Sequence, residues 1–190
     1  LCQTIKDDST TCHIPVVLVT AKTTKEDQIA GLQTGADAYI TKPFDPEYLQ
    51  ALIHSLLDNR RRVQRIVSEA TNTEDIEENA LSEQDKKFMD ELYALMEREL
   101  SNSELNVNAI TRELLISRTK LYYKIKALTG EKPNEFFKKF KLNRAAELLK
   151  SGKYNVSEVS YMTGFSSLTV FSRNFKAQFD MTPTEYMKQK

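Results

Sequence analysis

The chain lacks the features that would mark a metalloprotein, a membrane protein or a disulfide-stapled domain. Its 190 residues hold no tryptophan, only two cysteines and only two histidines. Cys2 and Cys12 both lie near the start, without the paired spacing of a metal site. That argues against a cysteine-held metal and for a reduced, cytoplasmic chain. His13 and His54 have no ligand partners either, so no metal and no cofactor is expected. No stretch approaches the roughly 18 apolar residues of a membrane span, and no signal-peptide pattern opens the chain. No membrane contact is therefore expected. Nothing pairs a nucleophile with a base, so an enzyme is not expected. The chain opens on Leu1 rather than Met, and is read as an excised piece of something longer.

Net charge is also absent, but the zero conceals an asymmetry. Residues 1–83 hold 8 basic and 14 acidic residues, whereas residues 84–190 hold 19 and 13. From Arg112 onward the count is 16 basic against 7 acidic. An acidic front and a basic back suggest a nucleic-acid partner for the back.

In the front part, Val16 to Thr20 is a β-branched run that reads as a strand buried on both faces. Lys25 to Thr34 carries Ile29 and Leu32 at helical spacing and stops at Gly35. Ala38 to Thr41 is a second strand. Asp45-Pro46-Glu47 starts another helix, with Tyr48, Leu49, Leu52, Ile53, Leu56 and Leu57 as its expected core face. Strand, helix, strand, helix implies a parallel α/β layer.

These residues resemble the last part of a response-regulator receiver domain, through IPVVLVTAK and GLQTGADAYITKPF. The resemblance implies that Thr20 is the switch hydroxyl, Tyr39 the aromatic switch and Lys42 the lysine that reaches a phosphoryl group. It also implies a cis Lys42-Pro43 bond. The family's phosphoacceptor aspartate and acidic metal pair lie farther upstream of the switch hydroxyl than residues 1–19 extend. Asp7 and Asp8 read as helix-end or loop carboxylates instead. A half receiver exposes a strand edge, so it is expected to be loosely folded or to self-associate.

From Val63 to Ser82 apolar residues thin out, and the stretch reads as a linker. Arg60 to Arg65 read as a solvated helix end. The expected division is therefore a receiver piece at 1–62, a linker at 63–82 and an all-α domain at 83–190.

In that last part, Asp85 to Leu100 is an amphipathic helix with Phe88, Leu92, Leu95, Met96 and Leu100 on one stripe. Pro133 to Ser151 is another, begun by Pro and ended at Gly152. Around it lie two copies of one pattern. Leu121, Ile125, Lys126, Pro133 and Glu135 align with Phe171, Phe175, Lys176, Pro183 and Glu185, and Val107 and Ile110 align with Val156 and Val159. Each copy is a short helix, a turn and a longer helix, hence a helix-turn-helix present twice. Asn106 or Asn108, Ser117, Asn155 and Ser166 or Ser167 are the expected caps. Gly164 suits a left-handed turn. Leu115 at the matching place would cost on the order of 1 kcal/mol there, so the first turn is expected to differ.

SRTKLYYKIKALTG, KLNRAAELL and VSEVSYMTGFSSLTVFSRNFKAQFDMTPTEYM resemble the AraC/XylS family of transcription regulators. A receiver joined to such a domain resembles the end of hybrid two-component sensor regulators. The resemblance implies double-stranded DNA as partner, read at two adjacent major-groove half-sites, with RNA polymerase a further family partner. Arg118, Thr119, Lys120, Tyr122, Tyr123 and Lys124 are the expected DNA-facing set of the first copy. In the second copy they are Ser167, Leu168, Thr169, Arg173 and Lys176. Arg173 suits a guanine edge. Asp180 stands where the family pattern and Gly130 have glycine. The expected function is sequence-specific transcription regulation, as an activator, at the output end of a phosphorelay; the alternative is a dimerisation or signalling fragment of a receiver without phosphoacceptor activity. Because an acceptor is missing from these residues, the 190-residue chain should gain no phosphoryl group from acetyl phosphate. Intact-mass measurement checks this, and a stable aspartyl phosphate overturns it.

Overall fold

The computed structural model describes residues 1–8, 11–70 and 81–188. Its front part runs α1 (Cys2–Asp7), β1 (Val17–Thr20), α2 (Lys25–Gln33), β2 (Ala38–Thr41) and α3 (Pro46–Glu69). The two strands are parallel, with Val17 opposite Ala38 and Thr20 opposite Thr41. The starts of α2 and α3 follow from their caps: Thr24 accepts from the Asp27 amide, and Asp45 accepts from the Glu47 amide ahead of Pro46. Ile40 is buried, but Tyr48, Ile53 and Leu57 on α3 and Ile29 and Leu32 on α2 are exposed. Half of the core face expected on α3 thus looks outward, because two strands offer a helix too little surface to lie on.

Of the expected switch residues, Thr20 ends β1, Tyr39 lies within β2 and Lys42 directly follows it. The Thr20 hydroxyl accepts from the Lys22 amide at 3.2 Å, and the Lys42 amide donates to the Thr20 carbonyl at 2.7 Å. Lys42-Pro43 is cis. Tyr39 donates its hydroxyl to the Lys22 carbonyl at 3.1 Å.

α3 does not stop at Arg62. It continues to Glu69, so Val63 to Glu69 of the expected linker are helical, and residues 71–80 lie outside the described residues. The reason is a short apolar face, Val63, Ile66, Val67 and Ala70, at helical spacing. Val67 is fully buried, and the Tyr93 hydroxyl lies 3.1 Å from its carbonyl and 3.3 Å from that of Ala70.

The remainder is helical: α4 (Glu83–Arg98), α5 (Val107–Glu113), α6 (Arg118–Thr129), α7 (Pro133–Ser151), α8 (Val156–Met162), α9 (Leu168–Phe179) and α10 (Pro183–Met187). Two cores form. The first gathers Val67, Met89, Leu92, Tyr93, Met96, Ile110, Leu121 and Ile125 around Phe136, Phe137 and Phe140. The second gathers Val159, Phe171 and Phe175 around Leu142, Ala145, Ala146 and Leu149. Both cores therefore share α7, its first half in one and its second half in the other.

The two turns are built alike, against expectation. Leu115 has φ 52° and Gly164 has φ 69°. In each, the following amide reaches back to close the short helix: Ile116 to the Thr111 carbonyl at 3.1 Å, Phe165 to the Ser160 carbonyl at 3.0 Å. This is a Schellman-type helix end. The residues differ because their surroundings do. A Cβ on Gly164 would lie 2.6 Å from the Leu100 carbonyl oxygen, whereas Leu115 is 91% exposed and has room for its side chain. Asp180 likewise adopts φ 56° where Gly130 has φ 77°, so a left-handed cap ends both long helices. Leu115→Gly should therefore stabilise the protein by about 0.5–1 kcal/mol, the left-handed cost less the added unfolded-state freedom. Gly164→Ala should destabilise it by more than Leu115→Gly gains. Urea unfolding measures both, and a destabilised Leu115→Gly would overturn the argument.

Candidate nucleic-acid interface

Each helix-turn-helix positions its second helix by local chemistry. In the first, Asn106 accepts from the Asn108 and Ala109 amides to start α5, and Ser117 accepts from the Lys120 amide to start α6. In the second, Asn155 and Glu158 form a reciprocal capping box at α8. Ser167 occupies the N-cap of α9 without a side-chain hydrogen bond. Leu121, Ile125 and Leu128 turn α6 inward, and Phe171 and Phe175 turn α9 inward. The opposite faces are thereby left to solvent.

On α6, Arg118, Thr119 and Tyr123 are exposed, while Lys120 and Tyr122 are half-buried. The Tyr122 and Tyr123 rings meet edge to face at 5.6 Å, and the Lys126 ammonium lies 5.9 Å from the Tyr122 ring centre. A surface concavity of about 520 Å³ runs between Arg118, Thr119, Tyr122 and Tyr123 on one side and Lys132 and Asn134 on the other. On α9, Leu168, Thr169, Arg173 and Lys176 are exposed and Ser167 is half-buried. Tyr123 and Arg173 occupy matching positions, so the two exposed faces differ in chemistry.

Lys124 is not on that face. It is 2% exposed, and its ammonium forms an ion pair with Asp85, which is 4% exposed. The Cys12 thiol lies 3.4 Å from the ammonium and 3.6 Å from Asp85 Oδ1, and the Phe88 ring centre is 5.6 Å away. Asp85 is held in turn by Ser82, whose hydroxyl donates to Oδ2 at 2.8 Å within the first turn of α4. The helix N-terminus favours a carboxylate there. The expectation that Lys124 faces DNA is thus corrected. The signal was in the spacing: Lys124 lies three residues after Leu121 and four before Leu128, which puts it on the buried stripe. Its counter-charge, Asp85, is far away in sequence and leaves no mark beside it.

At the end of the receiver segment Arg61, Arg62 and Arg65 are exposed, as expected, but Arg60 is half-buried. Arg60 donates to the His13 carbonyl and, at 2.9 Å, to the Ala127 carbonyl. Burial, with the Arg60 charge next in weight, lowers the His13 imidazole to about 4, so it is neutral near pH 7. Burial also pushes the Cys12 thiol up, with Asp85 adding to the effect, which keeps it protonated.

Residues 110–189 match the model of a helix-turn-helix domain, and residues 1–54 match that of the response regulator receiver domain. A protein of Formosa agariphila named histidine kinase P4 is 39% identical over 189 residues, 100% of this chain and 14% of that protein. The HTH-type transcriptional regulator AlkR of Acinetobacter baylyi is 31% identical over 108 residues, 52% of this chain and 35% of that regulator. The response regulator Rre1 of Synechocystis is 38% identical over 84 residues, 43% of this chain and 36% of that protein. The chain therefore spans from 14% to 36% of these relatives' lengths. Among solved structures, ToxT of Vibrio cholerae is similar in fold, with TM-score 0.51 and 18% identity over 86% of this chain and 57% of that one. Among the described residues, no helix is long and apolar enough to cross a membrane.

Removing the Lys124 head group strands a buried carboxylate. Lys124→Ala should cost about 3–5 kcal/mol of fold stability. The double change Lys124→Met with Asp85→Leu should recover most of it. Urea unfolding checks both, and an unchanged midpoint for Lys124→Ala would overturn the burial argument.

Proposed function

We propose, for a chain that carries the end of a response-regulator receiver domain and an AraC-type helix-turn-helix domain, that it is a sequence-specific DNA-binding transcription regulator. It works in the cytoplasm, at the output end of a two-component pathway. The observation that carries this reading is the pair of solvent-facing helices, α6 and α9, held on the one helix α7 that both cores share. A helix-turn-helix reads DNA by laying its second helix in the major groove, with N-terminal side chains at base edges. Arg118, Thr119, Lys120, Tyr122 and Tyr123 would serve one half-site, and Ser167, Leu168, Thr169, Arg173 and Lys176 the next.

The spacing supports the same reading. The 19 residues of α7 span roughly 28 Å at 1.5 Å per residue. Successive major-groove faces on one side of a duplex lie ~34 Å apart. One chain can then read two adjacent half-sites without a palindrome, and the Tyr123/Arg173 difference makes those half-sites unlike. Arg173 suits bidentate contact with guanine, for about 1–3 kcal/mol of discrimination. Leu168 suits a thymine methyl. The basic excess of the back part supplies the sequence-independent attraction to phosphate.

A duplex selected from a random pool by this chain, titrated at several salt concentrations, tests the proposal. Affinity should fall steeply with salt, by a log–log slope of about 0.9 per phosphate neutralised. Arg173→Ala should relax base preference at one position of one half-site, while Lys176→Ala should weaken all sequences alike and reduce the slope by about 1. Absence of any selected duplex at low salt would sink the reading.

A further inference from the structure

Among the described residues, the hydrogen bonds from the receiver segment's closing helix to a recognition helix go to the first helix-turn-helix unit, at the end of α6. The last four carbonyls of a helix lack partners within it. Lys126 supplies one of them in α6, and the Gly130 amide satisfies it at 2.9 Å. Ala127 supplies the next, and its partners come from the receiver segment's closing helix: Arg60 at 2.9 Å and Gln64 at 2.8 Å. A guanidinium at a helix C-terminus also meets the negative end of the helix dipole. α3 thus caps the recognition helix of the first unit. One turn farther back along α6, Lys124 is closed in by Asp85 of α4 and by Cys12, again from the receiver segment. Beyond Gln64, α3 becomes part of the first core through Val67 and Ala70. Ser68 and Glu131 share the Lys139 ammonium of α7, at 2.7 and 3.0 Å.

Among the described residues, the second unit receives no such hydrogen bond from the receiver segment, and Glu69 at the end of α3 only shares a surface concavity with Gln178, Phe179 and Tyr186. The residue matching Ala127 is Ala177, which is exposed, and the residue matching Lys124 is Asn174. Its polar link runs to α7 instead, where Gln178 donates to Asn143 at 2.6 Å. Nor is the receiver junction filled: a cleft of about 510 Å³ lies between His13, Arg60, Gln64, Asp85 and Ala127. Close-packed interfaces resist displacement, and this one leaves room for it.

We propose that Arg60 and Gln64 are positioning residues for the first recognition helix, and that the receiver segment acts on DNA reading through α3 and α6 at one half-site only. This rests on the DNA-binding reading above. The second half-site is then a fixed anchor, and the first is the one that receiver rearrangement strengthens or weakens. The capping donors meet α6 at its C-terminal end, away from Arg118 and Thr119 in its first turn, so they set its placement without covering those two residues.

The test uses the full 190-residue chain with Arg60→Ala and Gln64→Ala combined, and Gln178→Ala as control. Hydrogen exchange of the α6 amides should quicken about tenfold or more in the double variant while α9 keeps its protection. On a duplex selected by the wild-type chain, footprinting should show protection lost at the α6 half-site and kept at the α9 half-site. Arg60→Lys with Gln64 retained should restore most of the α6 half-site, since one cation again faces the Ala127 carbonyl. Gln178→Ala should not produce the α6 pattern. Unchanged α6 exchange, or equal weakening of both half-sites, overturns the proposal, the latter being what a merely structural loss would give. A wild-type chain that selects no duplex overturns the DNA reading alone. The exchange measurement still decides whether α3 holds α6.

Discussion

Everything in the helical part depends on α7 being buried along two different stretches of its length. Phe136, Phe137 and Phe140 enter the first core, and Leu142, Ala145, Ala146 and Leu149 enter the second. Neither helix-turn-helix could fix its distance from the other without that shared element, because no other described helix contributes buried residues to both cores. The side chains chosen suit the task. Phenylalanines of α7 enter the first core, where the Tyr93 ring lies tilted against Phe136 and Phe140 at 6.0 and 5.9 Å. Two alanines let the helices of the second core approach closely. Arg144 adds an ion pair to Glu97 of α4 at 2.6 Å, but it is partly exposed and worth little beside the burial.

Much of this was legible in the residues. The bounds of α7, the caps at Ser117 and Asn155 and the two helix-turn-helix repeats follow from spacing and end chemistry, and the structure has them. What could not be read was partnership at long range. Lys124 looked like a surface cation because lysine usually is one, and only Asp85 explains its burial. The tail of α3 looked like a tether because its apolar residues are few. Val67 and Ala70 gain their meaning only against Tyr93. Leu115 looked like a departure from its twin, yet its exposure lets the left-handed turn persist at modest cost.

The receiver segment presents the reverse case. Its strands and its cis Lys42-Pro43 bond stand where the pattern implied, while its packing is half-made. The exposed apolar side chains of α2 and α3 contrast with the well-buried tail of α3. One helix therefore begins in a sparsely covered layer and ends in a close-packed core. Such a helix transmits displacement well, since its far end is fixed to the groups it must move.

The division into two cores also bears on the order in which the molecule assembles. Among the described residues, the second core draws on those between Leu142 and Met187, so its contacts are short in sequence and cost little chain entropy to close. The first must bring Val67 to Tyr93 and Leu121 to Phe136, across a segment of the chain that spans the whole front of the helical part. The part nearest the end of the chain is thus the one able to collapse without waiting. The part tied to the receiver is completed last, when its distant pieces have met. Anchor first and sensor-linked reader second would then be the sequence of folding events as well as the division of labour on DNA.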